Sequence, residues 1–141
     1  MTEERPSWET YFQQIAIITA TRSPCKRLKV GAIIVKNKRV ISQGYNGYLP
    51  GCPHKQYMRD GHELATAHAE QNAIANCASC GVSCNDSTIY ITHYPCIHCA
   101  KLIIASGIKE INYIDDYHND SFVEEIVNMA QIKINKLDNS I

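Results

Sequence analysis

Thr88–Ile114 reads TIYITHYPCIHCAKLIIASGIKEINYI, and the order of residue types within it sets the fold. Thr88–Thr92 is short and rich in β-branched residues, which predicts a strand. Pro95 suits the first position of a helix and Gly107 the residue beyond the last, framing a helix over Cys96–Ser106. Ile111–Ile114 predicts the next strand. Strand, helix and strand in close succession form a parallel unit whose functional groups belong at the strand-to-helix turn.

The flanking sequence continues the alternation. Upstream, Thr66 can cap a helix over Ala67–Ala78, and a turn rich in Cys, Ser and Gly follows it. Val30–Val35 and Val40–Tyr45 predict a hairpin across the polar Lys36–Arg39. Ser7 can cap a first helix running to about Arg22, with Trp8, Tyr11, Phe12, Ile15, Ile18 and Thr19 recurring at helical intervals. Asn46–Glu63 holds three glycines and two prolines and predicts a surface loop with a functional task. Downstream, Asp120 or Ser121 can cap a last helix to Ala130, and Ile132–Ile134 predicts a final strand. The order α, β, β, α, β, α, β, α, β predicts an α/β fold. Its form is a three-layer α-β-α sandwich around a mixed, mainly parallel five-stranded sheet, with one domain over residues 1–141.

Composition limits the function classes. Hydrophobic residues at 45% and charged residues at 20% describe a chain able to bury a core. No apolar run reaches the length of a membrane span, and Met1–Pro6 lacks the layout of a signal peptide. The expectation is an intracellular, cytoplasmic protein without a membrane partner. Seven cysteines, an odd number without an export signal, favour reduced thiols and metal binding over disulfides. The net charge of zero hides an asymmetry: Arg22–Arg59 carries nine Lys or Arg and no acid, and Glu110–Glu125 carries six acids and no Lys or Arg. The basic stretch suits a phosphate, or else both stretches are solvated faces. Neutrality argues against a long nucleic-acid partner.

The chemistry concentrates at two predicted helix starts, His68-Ala69-Glu70 and Pro95-Cys96-Ile97-His98-Cys99. Cys96 and Cys99 lie three apart, so on a helix they share a face and can hold one metal from its first turn. A helix N-terminus also favours thiolates. With His68 they make three protein ligands, the number that leaves the fourth position of a catalytic zinc to water. Glu70, two residues from His68, is a poor co-ligand and a better proton shuttle. A rival reading uses the same residues: Cys77, Cys80, Cys96 and Cys99 match the C-x2-C-x15-C-x2-C spacing of a structural zinc site, as in a binding module without catalysis. It leaves His68, Glu70 and Pro95 unexplained.

H-x-E with P-C-x-x-C is the signature of zinc-dependent deaminases, and the chain resembles the cytidine and deoxycytidylate deaminase superfamily, within it the deoxycytidylate (dCMP) deaminases. The likeness rests on Arg22-Ser23-Pro24-Cys25 with Lys29-Val30-Gly31-Ala32, Gly44-Tyr45-Asn46-Gly47, His68–Ile74, Pro95–Lys101 and Ser106–Ile108 through Asp116-Tyr117. These segments cover nearly the whole chain after Thr21. The resemblance implies a cytidine deaminase-like fold, zinc on His68, Cys96 and Cys99, and Glu70 as the proton shuttle. The implied reaction is hydrolysis of dCMP to dUMP and ammonia, supplying dUMP for dTTP synthesis.

The resemblance also implies finer roles. Asn46 resembles a residue that contacts the sugar, Ala69 a substrate contact, and Tyr117 a residue at the nucleotide end. Asn46 also reads as a turn asparagine with positive φ, and Tyr117 as a surface aromatic. Arg22, Arg27 and Lys29 are candidates for the 5′-phosphate, with Arg22 and Lys29 preferred. Relatives are usually homohexamers activated by dCTP with Mg2+ and inhibited by dTTP, which makes Tyr45, Asn46 and Gly47 allosteric candidates. Cys25, Cys52 and His62 are candidates for a second, structural zinc, or else inert thiols and a solvated histidine. Alternatives to dCMP are another cytosine nucleotide such as dCTP, or a tRNA or other polynucleotide. Cys77, Cys80 and Cys84 match no motif of the family.

Overall fold

The computed structural model describes residues 4–117 and 119–138. Its elements are α1 (Trp8–Ala20), β1 (Gly31–Lys36), β2 (Arg39–Tyr45), β3 (Gly47–Tyr48), β4 (Met58–Arg59), β5 (His62–Glu63), β6 (Thr66–Ala67), α2 (Ala69–Cys80), β7 (Thr88–His93), α3 (Ile97–Ala105), β8 (Glu110–Asp115), α4 (Ser121–Met129) and β9 (Lys133–Lys136). The main sheet has five strands in the order β2-β1-β7-β8-β9. β1 runs antiparallel to both neighbours, while β7, β8 and β9 are parallel. Four strands therefore share one direction and β1 opposes them, the mixed, mainly parallel sheet that the alternation predicts. The β1–β2 turn is tighter than expected. Lys36 pairs with Arg39, and Asn37 and Lys38 take positive φ (52° and 59°), the handedness that matches strand twist.

Alternation along β1 divides the core between two layers. Ile33 and Val35 point to α1, joining Phe12, Ala16, Tyr90 and Leu137. Ala32 and Ile34 point the other way, joining Ala69, Ala73, Ala100, Ile103, Val123 and Val127 from α2, α3 and α4. The period of α1 is as predicted but its buried face is rotated: Phe12, Gln13, Ala16, Thr19 and Ala20 are buried, whereas Ile18 is 64% exposed and Trp8 and Tyr11 are also exposed. The cause is close packing. A side chain on Gly31 would collide with Ala16 O, so α1 approaches the sheet closest at Ala16 and Ala20, with Phe12 packed beside them.

Two helix starts differ from expectation. α2 begins at Ala69 rather than Ala67 because Thr66 and Ala67 pair with Tyr48 and Gly47 as β6 and β3. His68, not Thr66, caps the helix, in an extended conformation (φ −73°, ψ 159°), and its N–H donates to Gln71 Oε1 at 2.8 Å. In α3 the cap is Cys96, whose sulfur accepts the Cys99 N–H at 3.5 Å; Pro95 therefore lies one residue outside. Gly107, with φ 88°, ends that helix as predicted. Asp120 caps α4 through Phe122 N–H at 2.9 Å. The predicted loop Asn46–Glu63 carries the short β4–β5 hairpin besides β3.

Candidate active site

α2 is fastened to β2 before it presents any chemistry. Ser42 Oγ donates to Ala73 O at 2.6 Å and accepts from Asn76 Nδ2 at 3.0 Å, while Asn72 Nδ2 donates to Tyr45 O at 2.8 Å. Gly44 lets the backbones meet: a Cβ there would fall 2.5 Å from Ala69 O and from Ala73 N. β7 delivers α3 to the same end of the sheet, so the two helix caps, His68 and Cys96, come together.

His68 Nδ1 lies 3.2 Å from Cys99 Sγ and 3.6 Å from Cys96 Sγ. Among the described residues these three form the one group of His, Cys, Asp or Glu suited to an ion, with ligand atoms within 4.8 Å of one another. Zn–S bonds of about 2.3 Å and a Zn–N bond of about 2.0 Å at tetrahedral angles place donors roughly 3.5–3.8 Å apart. The group fits zinc in spacing and in donor type. Its electrostatics are those of a pair of coupled thiols. The Cys99 side chain, the His68 ring and the Cys99 N–H bond to Cys96 and hold it down at about 3, a thiolate. The same bond to Cys96, together with burial, pushes Cys99 up. The bond to Cys96 also raises His68. A dication in this space would displace those protons.

Glu70, in the first turn of α2, is 4% exposed. Burial raises its carboxyl above the usual range, opposed by its own backbone N–H and by His68. It lines, with His68 and Cys96, a cavity of about 710 Å³. Ala69, Asn46 and Tyr117 line it too, so the expected substrate contacts converge. Tyr117 meets the edge of His93 with ring centroids 6.0 Å apart. Further walls come from Pro24–Leu28, from Tyr48, and from Gln56, Met58 and Glu63 in or beside the β4–β5 hairpin.

Other expected residues lie elsewhere. Lys26 and Arg27 are the basic residues on the cavity wall; Arg22 and Lys29 are not among its lining. The Arg22 guanidinium sits over the Tyr45 ring at 5.9 Å, and Lys29 lines a smaller depression with Thr92, His93 and Asp115. Gly47 is buried in the β3 pairing and Tyr45 lies outside the cavity lining. Cys25 faces the cavity, whereas Cys52 and His62 are exposed, and the three do not gather into a second metal group. The four-cysteine alternative also fails in space. Cys77 is buried in the core with Cys84, and Cys80 Sγ bonds Asn76 Oδ1 at 3.7 Å, so neither joins Cys96 and Cys99.

Asn46 does not take the positive φ of a turn asparagine. Its side chain instead ties down the α1–β1 loop: Oδ1 accepts Val30 N–H and Nδ2 donates to Leu28 O, each at 2.8 Å. Sequence reasoning missed this role, and it missed Ser23, Lys26 and His93. Thr92 Oγ1 accepts Gly31 N–H at 3.1 Å and lies 2.7 Å from His93 Nδ1, so its hydroxyl proton is free to donate to that nitrogen. A Ser-Pro-Cys run beside two basic residues was the available hint for the first two.

A buried carboxylate beside a His/Cys/Cys metal group, at helix starts on the end of a mixed α/β sheet, defines a hydrolytic zinc-site enzyme class. The cytidine and deoxycytidylate deaminase zinc-binding region matches residues 6–115, and the chain belongs to that family of deaminases. ComE operon protein 2 of Bacillus subtilis (strain 168) is 42% identical over 139 residues, covering 96% of this chain and 74% of that protein. Deoxycytidylate deaminase of Saccharomyces cerevisiae is 34% identical over 92% of this chain, which spans only 45% of the yeast enzyme. The dCMP deaminase of cyanophage S-TIM5, solved with dCMP and dUMP, superposes with a TM-score of 0.84 at 30% identity, covering 96% of this chain and all of that one.

Proposed function

We propose that the chain converts dCMP and water to dUMP and ammonia. The observation that carries the reading is the joining of His68, Cys96, Cys99 and the buried Glu70 at one cavity, in a fold similar to a phage enzyme solved with dCMP and dUMP. His68, Cys96 and Cys99 would hold a zinc ion, which would supply a water acidic enough to react near neutral pH. Glu70 takes the proton released when oxygen adds to C4 of cytosine and delivers it to N3. It then carries a second proton to the amino group, which departs as ammonia as the C4 carbonyl forms. Burial suits this work, because a raised pKa makes the carboxylate a stronger base for the proton released by water. Ala69, Asn46 and Tyr117 shape the pocket around base and sugar, and Lys26 and Arg27 offer positive charge to the 5′-phosphate.

The finer reading adds dUMP supply for dTTP synthesis in the cytoplasm and a homohexamer. It also adds control through Tyr45–Gly47 by dCTP with Mg2+ and by dTTP. Support for an effector at that segment is that Asn46 lies in the cavity wall while the adjoining Tyr45 carries Arg22 on its ring. Steady-state assay of dCMP, dCTP, CMP, deoxycytidine and cytosine, each with and without dCTP or dTTP as effector, tests both levels. The expected result is preference for dCMP; turnover of another substrate in its place would overturn the assignment.

A further inference from the structure

Ser23 is 3% exposed, is not among the residues lining the 710 Å³ cavity, and yet makes hydrogen bonds in three directions. Its N–H donates to Ala20 O at 3.0 Å, at the end of α1. Its hydroxyl donates to Asn46 O at 2.7 Å and accepts Cys25 N–H at 3.1 Å. Asn46 completes the arrangement from the far side. Besides its side-chain bonds to Leu28 and Val30, its N–H donates to Val30 O at 3.2 Å. Lys26 and Arg27, both exposed at their side chains and both on the cavity wall, lie between these anchors.

We infer that Ser23 is a positioning residue for substrate charge: with Asn46 it clamps the α1–β1 loop so that Lys26 and Arg27 are held toward the anionic end of the nucleotide. This rests on the dCMP reading above. A loop fixed before binding loses less conformational entropy when an anion arrives, so the clamp acts on affinity for the phosphate-bearing substrate. Glu70 and the candidate metal donors stand at the starts of α2 and α3, outside the loop.

The test is the ratio of kcat/KM for dCMP to that for deoxycytidine, which lacks the phosphate. Ser23→Ala lowers the ratio by about tenfold through a higher KM for dCMP, with kcat and deoxycytidine turnover retained. In a Lys26→Gln, Arg27→Gln background the same change adds little, because residues that act through one another are not additive. If Ser23→Ala does not fold, Ser23→Cys, similar in size but a weaker hydrogen-bonding group, gives a smaller fall in the same ratio. A wild-type preference for dCMP that survives the Ser23 variants unchanged overturns the clamp alone, as does a full Ser23→Ala effect in the doubly substituted background. A wild-type enzyme indifferent to the phosphate overturns the clamp and the dCMP reading together.

Discussion

At the scale of single residues, the site shows how much protonation depends on surroundings. His93 is an example outside the metal group. Burial lowers its pKa, only partly opposed by Asp115, whose Oδ2 is 3.8 Å from Nε2. The unfolded histidine, titrating near about 6.5, then binds protons more readily than the folded one, so stability is full above that pH and declines as pH falls through the folded value. In urea unfolding from pH 7.5 to 5, wild type should lose stability more steeply than His93→Gln; parallel curves would contradict this. Cys96 and Cys99 were legible as a pair because their spacing lies within one helix turn, whereas the meeting of His68 with them is made by the fold. The bonds of Ser23 and of the Asn46 amide were not legible, since their partners lie across a loop and only the folded chain brings them together.

Among elements, α2 decides the site, because its first turn carries Glu70 and its cap, His68, belongs to the candidate metal group. Its seat on β2 depends on Gly44, where the approach to Ala69 and Ala73 leaves no room for a Cβ. Gly44→Ala should cost about 1–3 kcal/mol in denaturant unfolding and lower both zinc affinity and kcat, because the helix must move as a unit. Full activity in a stable Gly44→Ala protein would show that the close seat is dispensable. Element type followed from sequence wherever β-branched runs or caps were strong, as in β1, β7, α3 and α4. Boundaries followed less well. α2 began two residues late because β6 pairs with β3, and the buried face of α1 turned because small residues pack closest to the sheet. Both outcomes are tertiary overrides of local pattern.

At the scale of the whole molecule, a sheet with one reversed strand brings two distant helix starts to one end, and a loop with Lys26 and Arg27 lines the cavity beside them. The α/β class and its three layers were readable from the alternation of elements; the main-sheet order and the direction of β1 needed the coordinates. In the proposed reaction Glu70 is the proton shuttle beside the His68, Cys96 and Cys99 group. The most direct measurement is release of dUMP and ammonia from dCMP by Glu70→Gln, with zinc per chain determined on the same sample. A shuttle role predicts zinc retained at the wild-type level and turnover reduced by at least about 100-fold, the usual contribution of a positioned general acid–base group. Wild-type turnover in a zinc-loaded Glu70→Gln protein would contradict it.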